Sequence, residues 1–233
     1  MTPLPDAPTP SWQRLLALSG VVFAVLFLVG WFASGGDTPD YGAADEDWTN
    51  WADDNQWRSR IGAFSMLLAG FVFLYFAATI RSALGTPETA DRASPYLARV
   101  AFAGGVTGMA GMTMAIVMIA GATTEGAEAD PVVSRAVTTA SGGPFLLAAM
   151  GFAAFLMASG ILTLRTVVFA RWTAIVALIG AVSFLITFAV LLRGTGENSI
   201  FGYGFFPGVL ALVIWSMAAS ITNYRPLATG HSP

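Results

Sequence analysis

Of 233 residues, 55% are apolar and only 11% charged, against about 25% charged in an ordinary soluble domain, so a soluble globular chain is excluded. Cysteine is absent and the single histidine, His231, sits in a Gly-His-Ser-Pro tail. That excludes disulfides, thiolate chemistry, cysteine-held metals and a haem on paired histidines, and no cofactor or metal is expected.

All eleven basic residues are arginine, the formal net charge is −3, and no basic tract points to nucleic acid. Every charged residue lies outside six intervals, 15–36, 61–80, 100–124, 136–164, 172–192 and 198–224. Each interval holds the roughly 20 residues that a helix needs to cross a bilayer core. A charge at the centre of such a helix costs about 2.5–3.5 kcal/mol on insertion scales, and none is kept there. The pattern predicts an all-α integral membrane six-helix bundle with both termini cytoplasmic, in the plasma membrane. Its spans are expected near 15–36, 61–80, 100–122, 142–164, 172–192 and 203–223.

In chain order, residues 1–14 carry Pro3, Pro5, Pro8 and Pro10 and read as a disordered lead ending at Trp12 and Arg14. The first span is longer than the apolar core of about 7–15 residues in a secretory signal, and a retained span is expected. Cleavage would leave five spans. An acidic outer segment, 37–60, follows: DTPDYGAADEDWTNWADDNQWRSR. Its Asp45, Glu46, Asp47, Asp53 and Asp54 are hard oxygen ligands, but their spacing does not fit a calcium-binding loop. Trp48 and Trp51 are three apart, so a helix would turn both to the lipid or the bundle and the acids to water. Together with Asp53 and Asp54 they are also the candidate contact for a partner. Trp57, beside Arg58, reads as an anchor at the headgroup level.

The inner connection 81–99 holds the turn signals Gly85-Thr86-Pro87-Glu88 and Ser94-Pro95. In the third span Ala101, Gly104, Gly105, Gly108, Gly111 and Ala115 recur every three or four residues. In the fourth, Ala148, Gly151, Ala154 and Ala158 do the same. Small residues on one face let helix backbones approach closely in lipid. Gly104, Gly108, Gly111 and Gly151 are therefore the candidate helix-packing face, serving this chain's own bundle, a homodimer seam, or a backbone-lined path. Met109, Met112, Met114 and Met118 on the third span read as packing rather than copper ligands. Between these spans, Pro131 is placed to open a short helix. Val132, Val133, Ala136, Val137 and Ala140 would give that helix one apolar face on the outer surface.

The stretches Phe155-Leu156-Met157-Ala158-Ser159-Gly160 and Arg171-Trp172 through Leu178-Ile179-Gly180, with Asp37-Thr38-Pro39-Asp40, resemble bacterial multi-pass membrane proteins of an uncharacterised, actinobacterial type. The resemblance implies a helical integral membrane protein and carries no functional residues with it. Residues 194–208, GTGENSIFGYGFFPG, read as an aromatic interfacial hinge, and 225–233 as a short tail.

Counting connections alternately, seven arginines (14, 81, 92, 99, 165, 171, 225) fall on one side and four (58, 60, 135, 193) on the other. The positive-inside rule puts the first set in the cytoplasm. Eleven of the fourteen acids then lie outside. With no ionisable group in the spans to act as general acid or base, catalysis is not expected. Asp53, Asp54 and Arg58 on the outer surface lack a supporting motif. The expected role is that of an accessory or interaction protein whose partners are the lipid bilayer and other membrane proteins or a second copy. The alternative is a passive or facilitated path for a small neutral solute, lined by Ser65, Thr107, Thr113, Ser183, Thr187 and Ser216.

Overall fold

The computed structural model describes residues 11–34, 38–40, 42–84, 94–123, 130–166, 168–188 and 200–229. They form seven helices: α1 (Ser11–Ala33), α2 (Asp45–Leu84), α3 (Ser94–Gly121), α4 (Pro131–Ala140), α5 (Gly142–Thr166), α6 (Arg171–Thr187) and α7 (Ile200–Thr229). Among the described residues there is no strand, as the charge-free intervals predict. The helices α1, α2, α3, α5 with α4 leading into it, and α7 are long and apolar enough to cross a membrane. The helix α6 is equally apolar but is described over 17 residues. The end of its expected span, 189–192, lies outside the described residues.

Helix boundaries depart from expectation where no residue stops the helix. The helix α1 begins at Ser11, directly after Pro10, inside the segment assigned to the lead; residues 1–10 lie outside the described residues. In the acidic outer segment, 45–60 is the first part of a single 40-residue helix that runs on into the second span. No glycine or proline interrupts Asp45 to Arg60. Three acids in the first turn also sit at the positive end of the helix dipole. The helix α7 extends to Thr229, into the segment assigned to the tail. The connections 85–93 and 124–129 and residues 194–199 lie outside the described residues. Residues 200–208, expected to form an aromatic hinge, are instead the first turns of α7.

The helices close a ring in chain order. The helix α1 packs on α2 and α7, α3 on α2 and α5, and α6 on α5 and α7. Each runs antiparallel to its neighbours in the ring. Gly20 faces Phe76 and Ser220, Gly30 faces Met66, and Gly180 and Gly208 face Ala211 and Phe184. The outside of the ring is apolar: Val22, Val25 and Val29 of α1 and Ile175, Ile179 and Val182 of α6 are exposed. A helix that is apolar all round suits a lipid surround rather than water.

The inside is filled by interlocked aromatic rings. Phe23 of α1 lies 4.7 Å, centroid to centroid, from Phe73 of α2, which lies 5.5 Å from Phe155 of α5. Phe155 meets Trp215 of α7 edge-on at 5.2 Å, and Phe152 meets Phe184 of α6 at 5.7 Å. Toward the end of the bundle where α1 stops, Phe205 lies 5.5 Å from both Phe145 and Phe184 and 5.8 Å from Trp31. Such pairs contribute about 0.5–1.5 kcal/mol each beyond the area they bury. They also leave the middle of the ring solid.

Candidate functional site: the outer cap and the glycine seam

The four turns of α2 that precede its apolar part lean on the ends of α3 and α4. Trp48 and Trp51 are the pins. Both are buried, at 2% and 7% exposure, and their rings meet edge-on at 5.9 Å. With Ala52 and Ala122 they form a small apolar cluster, against which Ala43, Ile119 and Val137 pack. The indole N–H groups have no hydrogen-bond partner, so the two rings act as apolar slabs. This is the orientation toward the bundle that the three-residue spacing allows. It also takes both tryptophans out of reach of a docking partner.

Asp53 and Asp54 lie on the other face of the same turns and are exposed, as are Glu46, Asp47 and Asn50. The four residues grouped as a partner contact are therefore divided by the helix: two anchor it and two are displayed. Among the described residues no three acids converge as metal ligands would. Trp57 is 71% exposed beside Arg58, at the level where α2 becomes apolar.

The cap is closed by α4, and sequence reasoning missed how. Asp130 caps this helix by accepting from the Val132 N–H at 3.0 Å, with Pro131 in the first turn as expected. The buried side of α4 is polar, however. Ser134 is fully buried and donates to the Ala122 carbonyl at 2.9 Å. The valines Val132 and Val133 are exposed, together with Ala136 and Ala140. Most of the apolar face of α4 is thus turned outward, where a bilayer interface would accept it, and only Val137 packs inward on the tryptophans.

Arg135 ties α4 to α2. It donates to Asp45 Oδ1 at 2.8 Å and to the Ala43 carbonyl at 3.1 Å, and its guanidinium lies 5.8 Å from the Trp48 ring. Asp45 is 66% exposed, so the ion pair itself is worth about 0–1 kcal/mol. Its value is positional. A lone arginine in an outer connection gave no signal in the sequence, because its partners lie 90 or more residues away.

The glycine face is used within the chain. A Cβ built on Gly104 would lie 2.8 Å from the Gly151 carbonyl oxygen and from Phe155 N. One on Gly108 would lie 2.8 Å from Phe152 N, and one on Gly111 2.7 Å from Ala148 N and the Pro144 carbonyl oxygen. Gly151 in turn lies against the backbone of Gly108. Here α3 and α5 touch backbone to backbone, and no second copy can use the same face. Met109 and Met112 are buried in this packing while Met114 is 55% exposed.

Four of the six hydroxyls expected to line a solute path lie at separate places in the bundle. Thr113 faces Gly70 across the α2–α3 seam, and Thr187, whose hydroxyl donates to the Ser183 carbonyl at 3.4 Å, faces Gly204 across the α6–α7 seam. Ser65 and Ser216 are buried on other helices. No family model, curated protein or solved structure matches this chain.

Proposed function

We propose that this chain is a six-span integral membrane protein with cytoplasmic termini that works by contact with other membrane proteins, through the acidic ridge displayed by the outer turns of α2. The observation that carries this reading is the division of those turns. Trp48 and Trp51 fix the helix on the bundle, so Asp53, Asp54 and Asn50 are held on a rigid element facing away from it. A surface held in one conformation loses little entropy on binding. Its negative charge selects a positively charged partner and speeds the encounter. The arginine distribution supports the orientation, seven to four.

The solute-path alternative is disfavoured by the aromatic rings that fill the ring of helices.

The test is a photo-crosslinking residue placed at Asp54 in native membranes, beside one at the lipid-facing Ile179. A discrete adduct from position 54, lost when Asp53 and Glu46 become lysine, is expected. Adducts no more discrete at 54 than at 179 would sink the contact role of the ridge.

A further inference from the structure

The seam between α2 and α3 is grooved on the face turned away from the centre of the ring. At the end where α2 stops and α3 starts it widens into a groove of about 410 Å³. Arg81 and Ser82 come to this groove from the last turns of α2, and Arg99 and Pro95 from the first turns of α3. Ala78, Ala98 and Phe102 form its apolar floor.

Both arginines are exposed, and neither makes an ion pair among the described residues. Glu88 and Asp91 of the connecting segment lie outside the described residues. The guanidinium of Arg81 lies 5.5 Å from the Phe102 ring across the seam, and that of Arg99 5.8 Å from the Tyr96 ring. Stacking of this kind holds a guanidinium by its face and leaves its N–H edge free for a carboxylate or phosphate. The positive end of the α3 dipole opens on the same groove.

One helical turn further along, the same seam continues as a second furrow of about 410 Å³, and this one is apolar. Gly70 makes room for it, facing Thr113 and Met109, and Ala110 and Met114 are exposed along its edge. Arg99 and Thr113 are about 21 Å apart along the axis of α3 at 1.5 Å per residue. One leaflet of the hydrocarbon core is about 15 Å deep. A charged mouth at the headgroup level and an apolar channel of leaflet depth thus lie in line on one helix pair.

We propose that this seam is a binding site for one anionic phospholipid, with its phosphate on Arg81, Arg99 and Ser82 and an acyl chain in the furrow past Gly70. The proposal rests on α2 and α3 being transmembrane helices. It is independent of the acidic ridge and its partner. Charge complementarity selects an anionic headgroup over a zwitterionic one, and the furrow selects a lipid over a free anion.

The experiment is native mass spectrometry of the full chain in mild detergent. It is titrated with phosphatidylglycerol, with phosphatidylcholine of the same chains, and with inorganic phosphate as competitor. A one-to-one phosphatidylglycerol adduct is expected, weakened about thirtyfold in R81Q/R99Q, since each basic residue contributes about a fivefold factor. R171Q, an exposed arginine on the same side of the bundle, should leave the adduct unchanged. A110F should weaken it with both arginines intact, because it fills the furrow. Should R81Q/R99Q fail to fold, R99Q alone carries the test, with about a fivefold loss.

Equal retention by wild type and R81Q/R99Q overturns the site. So does an equal loss in R171Q, which would mean a diffuse surface charge, and so does displacement by millimolar phosphate, which would mean a free-anion site. Extraction of the wild type from membranes by alkaline carbonate would instead sink the transmembrane reading on which the site rests.

Discussion

Gly108 and Gly143 illustrate how little a residue's identity says until its neighbours are known. Both lie in helices, Gly108 in the interior and Gly143 in the first turn, and in an interior a Gly→Ala change improves intrinsic helix propensity by about 0.5–1 kcal/mol. At Gly143 an added Cβ meets nothing within 4 Å, so Gly143→Ala should leave stability unchanged or raise it. At Gly108 the Cβ meets the Phe152 backbone nitrogen. A backbone atom cannot yield as a flexible side chain can, and Gly108→Ala should destabilise by about 1–3 kcal/mol. Thermal melting of the two variants in one detergent checks the opposite signs. A second contrast lies in the cap. Trp48→Ala removes a fully buried ring, at about 3–5 kcal/mol, whereas Arg135→Gln removes a half-exposed ion pair and a ring contact, at about 1 kcal/mol. Hydrogen exchange over 45–60 should rise by roughly a hundredfold or more in Trp48→Ala and severalfold in Arg135→Gln.

At the scale of elements, α2 is two helices in one. Its apolar part suits a bilayer, and its acidic part, beyond the favourable acids of its first turn, is helical through continuity and the tryptophan pins. Asp54→Pro should show which. Proline in a helix interior costs about 3 kcal/mol or more. If continuity with the apolar part keeps the acidic turns helical, helix content should fall and hydrogen exchange over 45–53 rise while protection over 61–84 is kept. If the tryptophan contacts hold them, 45–53 should stay protected. Equal loss across the whole of α2 would show that the two parts fold as one. The helix α4 makes the complementary point. Its sequence offers an apolar face for burial, and the fold buries Ser134 instead, because the Ala122 carbonyl at the end of α3 needs a donor. Of the apolar face that periodicity marks, Val132 and Val133 stay exposed, while Val137 packs on the tryptophan cluster.

At the scale of the whole molecule, the closed ring joins α1 to α7 and shuts its own centre with aromatic side chains. Liposomes holding the protein should pass urea and glycerol no faster than empty vesicles, and faster passage would revive the solute-path reading. The orientation is open to labelling without background, since the chain has no cysteine. Glu46→Cys and Ala90→Cys should react with an impermeant maleimide from opposite sides of the membrane. Reaction from the same side would overturn the six-span arrangement, whereas a reversal of both sides would overturn only the positive-inside assignment.

The sequence by itself determined the helical class and the number and approximate limits of the apolar segments. Placing a charge in hydrocarbon is costly enough to show as an interval without one. It also marked Gly104, Gly108, Gly111 and Gly151 as one small-residue face, while leaving open what that face meets. Only the tertiary structure decided that this packing is α3 on α5 within one chain, that Trp48 and Trp51 turn inward, and that Arg135 and Arg81 have specific neighbours on other helices. Those outcomes depend on which helices meet across the ring. Between helices apolar on every side, periodicity marks no preferred face, and the choice falls to the fit of backbones and rings in three dimensions.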